Sequence, residues 1–379
     1  MLQIQKLCVL LIFSFLIFSN CANAQEDTRT EPVATLHIGD DAPAFHGAQW
    51  LKGKPIKKLK KGKLYVVEFW ATWCGPCKLA MPHLSQLAAK YKDKISFIGI
   101  DVWEKKTTPI EKIKHFVDSM GQKMDYTVAT DDNDFMLKNW LDALGGRGVP
   151  QSFVINEDGK IAWVGHPGYL PGILAKVTSN EWNIENALAD YNEETRLTKL
   201  DNEAYFDLLN YVKLANWASS KDKPDSLLLA VEAIVEKEPK LKYAPIIAGN
   251  TFRALLKTDM HKAFLYGEEA IKIKFFDYPI SYYIKNEIEF LADSLPLTPE
   301  IFQLGIEACQ AEINEIFYPE APGTHKVYSC MANWYWRIND LAKAIETQEK
   351  AIADIKSKTS YAADELTSME AQLEKYRRH

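Results

Sequence analysis

The sequence predicts an α/β domain, with a central mixed sheet flanked by helices, followed by an all-α domain. Three observations carry this. From residue 38 to 180, β-rich runs alternate with amphipathic helical runs and end in a hairpin. Beyond residue 181 the apolar spacing is helical almost throughout, with breaks near Pro224, Pro239, Pro279, Pro296 and Pro322-Gly323. The charge changes at the same place: residues 25–180 carry 21 Lys/Arg and 18 Asp/Glu, whereas residues 181–379 carry 23 and 33.

The elements follow in order. Tyr65-Val66-Val67-Glu68-Phe69-Trp70 is a β-rich run suited to a central strand. Leu79, Leu84, Leu87 and Ala88 place a helix over Cys77 to Lys90. Ile95-Ser96-Phe97-Ile98-Gly99-Ile100 reads as a second buried strand. Ile110, Ile113, Phe116 and Val117 mark an amphipathic helix, and Phe135 to Leu144 another. Ser152-Phe153-Val154-Ile155, a turn at Asn156-Glu157-Asp158-Gly159, and Ile161-Ala162-Trp163-Val164 form the hairpin. The basic run from Lys52 to Lys63 reads as a solvated hairpin before the central strand.

In the helical region, Asp259-Met260-His261-Lys262-Ala263 followed by Ala270-Ile271 echoes Asp340-Leu341-Ala342-Lys343-Ala344 followed by Ala351-Ile352, at an offset of 81 residues. This resembles the second helix of a tetratricopeptide repeat, although the offset is not a multiple of the usual ~34 residues. Degenerate repeats and an unrelated helical bundle both fit.

The chain has 379 residues, or about two domains at roughly 150 residues each. Hydrophobic residues make up 47% and charged residues 25%, the balance of an ordinary globular protein. A net charge of −6 argues against a dedicated nucleic-acid binder. Past the amino terminus no apolar run reaches the ~18 residues that span a bilayer, which excludes a polytopic membrane protein.

The amino terminus is an address. Lys6 precedes the apolar run Leu7 to Phe18, and Ala22-Asn23-Ala24 supplies a small-residue cleavage site, the pattern of a secretory signal peptide over residues 1–24. A membrane-tethered lipoprotein acylated at Cys21 is the alternative. Either way the expected location is periplasmic or otherwise extracytoplasmic. A linker is expected over 25–37, then the sheet domain over 38–180 and the helical domain over 181–379.

After cleavage four cysteines remain: Cys74, Cys77, Cys309 and Cys330. They are too few for a disulfide scaffold, so the fold rests on its cores. Cys309 and Cys330 pair in an oxidising compartment or stay as two buried thiols; both readings stand. Cys74 and Cys77 form a C-x-x-C pair in Trp73-Cys74-Gly75-Pro76-Cys77, where a strand passes into a helix. At a helix start, unpaired N–H groups and the dipole favour a thiolate, and C-x-x-C thiols there titrate between ~3.5 and ~7.5 instead of ~8.5. Pro76 suits the first turn, where its missing N–H has no partner. One sulfur attacks and the other resolves, giving dithiol–disulfide exchange. Zinc would need two more ligands at short spacing, and the chain offers neither a second C-x-x-C nor a histidine pair. A peroxidatic cysteine would follow Pro-x-x-x-Thr-x-x, but Val67 and Ala71 stand there. The expectation is therefore no metal and no cofactor beyond the redox-active Cys74–Cys77 disulfide.

Phe69-Trp70-Ala71-Thr72-Trp73-Cys74-Gly75-Pro76-Cys77 resembles the thioredoxin superfamily, and within it the extracytoplasmic TlpA/ResA-like thiol–disulfide oxidoreductases. The resemblance covers about 140 residues, from Ile38 to the hairpin at Trp163. It implies a thioredoxin-like fold, a kinked active-site helix at Pro82, and a cis-proline at Pro150, after Val149, facing the dithiol. It also implies that the stretch from Thr107 to Asp131 is the family's helical insertion. Glu68 matches the family's buried acid, implying that it accepts and returns the Cys77 proton. The alternative for Glu68 is a solvent-facing side chain or a pair with Lys63. Substrate would bind by strand-like hydrogen bonds at Val149 beside Cys74, over Trp73, Gly75 and Pro76, whereas Trp70 packs in the core. One position departs from the pattern: Ala80 stands where TlpA-like proteins often carry Glu.

The implied activity is disulfide reduction on extracytoplasmic protein substrates, with a membrane-bound electron donor, because Gly75-Pro76 resembles reducing members. The rivals are an oxidase or isomerase, and a binding module in which the acidic helical domain recruits a partner.

Overall fold

The structure, a computed structural model, describes residues 34–146, 148–211, 223–276, 278–314, 323–358 and 363–378. The expected signal peptide, Cys8, Cys21 and most of the expected linker lie outside the described residues.

A six-stranded sheet has the order β1 (Trp50–Lys52), β4 (Thr127–Thr130), β3 (Ile95–Asp101), β2 (Leu64–Trp70), β5 (Gln151–Ile155) and β6 (Ile161–Gly165). Its centre is β2 (Leu64–Trp70), buried along its whole length because helices cover both faces. It pairs in parallel with β3 (Ile95–Asp101) and antiparallel with β5 (Gln151–Ile155). Strand alternation sends Val66, Glu68 and Trp70 to one face. Val66 and Trp70 meet Cys77, Ala80, Met81 and Leu84 of helix α1 (Gly75–Lys90) there. Tyr65, Val67 and Phe69 point the other way and pack against Trp140, Leu141 and Phe153. Each such large apolar side chain contributes on the order of 2 kcal/mol by leaving water.

The hairpin forms as expected: β5 pairs antiparallel with β6 (Ile161–Gly165). Asn156 Oδ1 accepts from the Asp158 and Lys160 amides, and Gly159 takes the left-handed φ of +81° that closes the turn.

Two expectations are corrected. The basic run before the central strand is not a hairpin: of Lys52 to Lys63 only Lys52 lies in a strand. β1 (Trp50–Lys52) pairs antiparallel with β4 (Thr127–Thr130) at the far edge of the sheet. β3 and β5 already occupy both edges of β2, so no ladder remains for the segment before it. The stretch Thr107 to Asp131 is not helical throughout. It holds helix α2 (Ile110–Met120), a short turn over Gly121–Met124, and then β4, which extends the sheet in parallel beyond β3. The helix expected from Phe135 is a wide, π-type helical segment over Leu137–Asp142.

Helix α3 (Leu170–Thr178) returns over the α1 face, burying Leu170 and Leu174. Helix α4 (Ile184–Leu208) then belongs to two cores: Ala187 and Tyr191 pack on the sheet, Leu197, Ala204 and Leu208 in the helical region. That region continues through α5 (Pro224–Lys237), α6 (Pro245–Thr258), α7 (Met260–Ala270), α8 (Ile280–Leu291), α9 (Pro299–Asn314), α10 (Thr324–Arg337), α11 (Leu341–Ser357) and α12 (Ala363–Arg377). The two echoing segments fall on equivalent helices. Asp259 caps α7 by accepting from the Lys262 amide, and Asp340 caps α11 by accepting from that of Lys343. Ala263 and Ala270 are fully buried, as are Ala344 and Ala351 at the same offset. No helix among the described residues is long and apolar enough to cross a membrane.

Candidate active site

The site begins where β2 ends. Cys74 is the N-cap of α1, with extended φ and ψ, and its sulfur accepts from the Cys77 amide at 3.1 Å. The helix dipole therefore bears on this sulfur. Cys77, one turn in, is fully buried, and the two sulfurs form a disulfide with α-carbons 5.3 Å apart. Gly75 and Pro76 between them are exposed. Pro82 lies inside the same helix.

The Val149–Pro150 peptide bond is cis, and the Val149 carbonyl oxygen lies 3.7 Å from Cys74 Sγ. This sets the backbone at the Val149–Pro150 bend against Cys74 Sγ. Trp73 is 58% exposed, and its indole N–H donates to the Trp103 carbonyl at 3.1 Å. Trp70 is fully buried and stacks on Phe116, a packing residue as expected.

Glu68 neither faces solvent nor pairs with Lys63. It is 1% exposed, and neither carboxylate oxygen has a hydrogen-bond partner. It lies on the α1 face between Val66 and Trp70, below the helix that carries Cys77. Burial alone pushes its carboxyl well above the usual range, which raises its affinity for a proton.

Several groups at this site escape a linear reading. Ser152 of β5 and Gly99 of β3 are the direct cross-strand neighbours of Glu68. The Tyr126 ring and the Trp70 indole nitrogen close over Gly99, and the Tyr126 hydroxyl, Trp70 Nε1 and Ser152 Oγ are buried without hydrogen-bond partners. Beyond the end of β3, Glu104 accepts from the Thr72 amide at 2.6 Å, just before the cysteines. Asp101 is pushed up to about 8 by burial and by the neighbouring carboxylates Glu104 and Asp131. The signal for Asp101 was its place at the carboxyl end of a parallel strand, where α/β sheets assemble their sites.

The histidines take other roles: His46 meets Asp132 at 3.1 Å, and His325 lies between Asp354 and Glu365.

A disulfide poised at the mouth of a strand-to-helix turn, over a buried carboxyl, defines a thiol–disulfide oxidoreductase on a thioredoxin-like fold. Comparison with known proteins gives the same class. Residues 54–119 match the thioredoxin family. The chain is 38% identical over 128 residues to the thiol-disulfide oxidoreductase ResA of Bacillus anthracis, covering 33% of this chain and 68% of that protein. It is 33% identical over 143 residues to the thiol:disulfide interchange protein HelX of Rhodobacter capsulatus, covering 37% and 73%. To protein FixW of Rhizobium leguminosarum it is 32% identical over 153 residues, covering 39% and 69%. The chain belongs to this family of thioredoxin-like thiol–disulfide oxidoreductases.

Proposed function

We infer that the protein is an extracytoplasmic disulfide reductase acting on protein substrates. The Cys74 thiolate attacks a substrate disulfide, forming a mixed disulfide and releasing one substrate thiolate. Cys77 then gives its proton to the Glu68 carboxylate, and its sulfur attacks Cys74 Sγ. The second substrate thiolate leaves, and the Cys74–Cys77 bond closes. Trp73, Gly75 and Pro76 form the surface the client meets, and Val149, held by Pro150, pairs with its backbone. The observation that carries this reading is Glu68: a buried carboxyl without a hydrogen-bond partner under the resolving cysteine, its proton affinity raised by burial alone, as a base for that cysteine needs.

The signal-peptide pattern supports a location outside the cytoplasm, with the Cys21 lipoprotein as the alternative form. A reductase in an oxidising compartment requires a membrane-bound donor to restore its dithiol. Trapping tests this directly. In Cys77→Ser the second step is blocked, so extracytoplasmic clients should remain covalently attached to Cys74. Recovery of reduced clients without adducts would refute it. Direction is read from the potential: roughly −270 mV marks a reductase and roughly −120 mV an oxidant.

The acidic helical region, possessing two equivalent capped helices, supports a second role in docking a partner by repeat-like packing. A truncation testing this must keep Trp182, Ala187 and Tyr191, which pack against the sheet. Retained activity on small disulfides with lost activity on protein disulfides supports docking; full activity on both opposes it.

A further inference from the structure

The helical region carries a second pair of cysteines that the chemistry above leaves unused. Cys309 of α9 is fully buried and Cys330 of α10 half-buried, and both are free thiols. Gly305 sets the register of the two helices. A β-carbon there would stand 2.6 Å from the Trp334 ring, so the α9 backbone lies directly on that indole. One turn forward from Gly305 is Cys309, and one turn back from Trp334 is Cys330. In antiparallel neighbours these positions face each other, and the nearby Cys330 thiol helps to push that of Cys309 up.

An ion pair lies against these sulfurs. Lys285 of α8 is only 7% exposed, and its Nζ stands 2.9 Å from Glu312 Oε2, one turn past Cys309. Both thiols interact with the Lys285 ammonium. Burying an ion pair costs several kcal/mol of desolvation per charge, and apolar residues of similar volume would pack as well. Beside two thiols, however, a fixed ammonium stabilises a thiolate.

We propose that Cys309 and Cys330 form a second dithiol–disulfide couple, with Lys285 and Glu312 as its charge pair. Cys330, the accessible sulfur, loses its proton to solvent and attacks an external disulfide, giving a mixed disulfide and one thiolate. Cys309 then passes its proton to the departing sulfur as it attacks Cys330 Sγ, expelling the second sulfur as a thiol, while the first thiolate takes a proton from solvent. Two thiols become one disulfide, and the external disulfide becomes two thiols. Burial pushes the Cys309 thiol well up, which fixes this order of attack. The bond ties α9 to α10 and gives the helical region a redox state of its own, exchanging with the same class of partner as Cys74.

The test uses the full chain with Cys74→Ser and Cys77→Ser, which removes the first couple and leaves the helices unaltered. The protein is equilibrated with reduced and oxidised glutathione at graded ratios, acid-quenched, unfolded, alkylated and mapped by peptide mass. The expected result is that Cys309 and Cys330 lose their label together and appear joined in one disulfide-linked peptide. Full labelling of both at every ratio, or glutathione on Cys330 with Cys309 still free, overturns the proposal. The charge pair is read separately in the double variant Lys285→Met, Glu312→Leu, which leaves no lone charge buried. Alkylation of Cys330 in the native protein at neutral pH should slow about tenfold. An unchanged rate overturns the role of Lys285.

Discussion

Glu68 and Gly99 lie directly opposite each other across the parallel pairing of β2 and β3. The glycine leaves the space beside the carboxyl, and the Tyr126 and Trp70 rings fill it from above. The acid is thus enclosed by aromatic surface and has no cation. Its elevated proton affinity comes from the environment alone.

Glu68→Gln should separate the two chemical steps. Attack by Cys74 does not use the carboxyl, so mixed-disulfide formation should proceed at the wild-type rate. Resolution by Cys77 should slow by about 10²-fold, the lower range of general-base contributions. In the wild type the resolving rate should rise with pH as Glu68 ionises, and the variant should lose that rise. Stopped-flow tryptophan fluorescence across pH measures both; an unchanged pH profile would remove Glu68 from the proton path.

Gly99→Ala tests how tightly that chamber is built. The new methyl would meet Tyr126 Cε2 at 3.0 Å and Trp70 Nε1 at 3.1 Å. Trp70 cannot withdraw, because it is stacked on Phe116 with ring centroids 5.5 Å apart. Overpacking of this kind costs about 1–3 kcal/mol. The urea midpoint should fall with the slope unchanged.

These neighbours also show what a linear reading reaches. The central strand and α1 were legible because β2 is an unbroken apolar run and Cys74 to Pro76 carries its own helix-start chemistry. Glu68 was legible as a lone carboxyl in that run. β1 and β4 were not, because strands of three and four residues owe their existence to partners about eighty residues away. Tyr126 and Ser152 escaped notice for the same reason: Ser152 acquires its meaning from facing Glu68 across the sheet, and Tyr126 from closing over Gly99 beside it. The register of Cys309 against Cys330 likewise required knowing that Gly305 meets Trp334.

Asp101 ties stability to pH. Its carboxyl titrates at about 8 in the folded protein against 3.8 when free. Below pH 4 both states hold the proton, and stability is unaffected. As pH rises the unfolded chain ionises first, so the folded state loses up to ~1.4 kcal/mol per pH unit until about pH 8. Asp101→Asn removes this penalty. Its melting temperature should match the wild type near pH 4 and exceed it increasingly towards pH 8. A constant difference across that window would contradict the assignment.

Trp73→Ala addresses the client surface. The indole is 58% exposed and donates to the Trp103 carbonyl, so its removal should leave stability within about 0.5 kcal/mol. Small disulfides, which need only the sulfurs, should be turned over at the wild-type rate. A protein client covering the rim of the site would lose an aromatic contact of about 1.4 kcal/mol, a tenfold rise in KM with kcat unchanged. The split between the two substrate classes is the informative readout. Equal losses on both would mean that Trp73 shapes the dithiol itself and not the surface around it, and equal retention would place client contacts elsewhere on the chain.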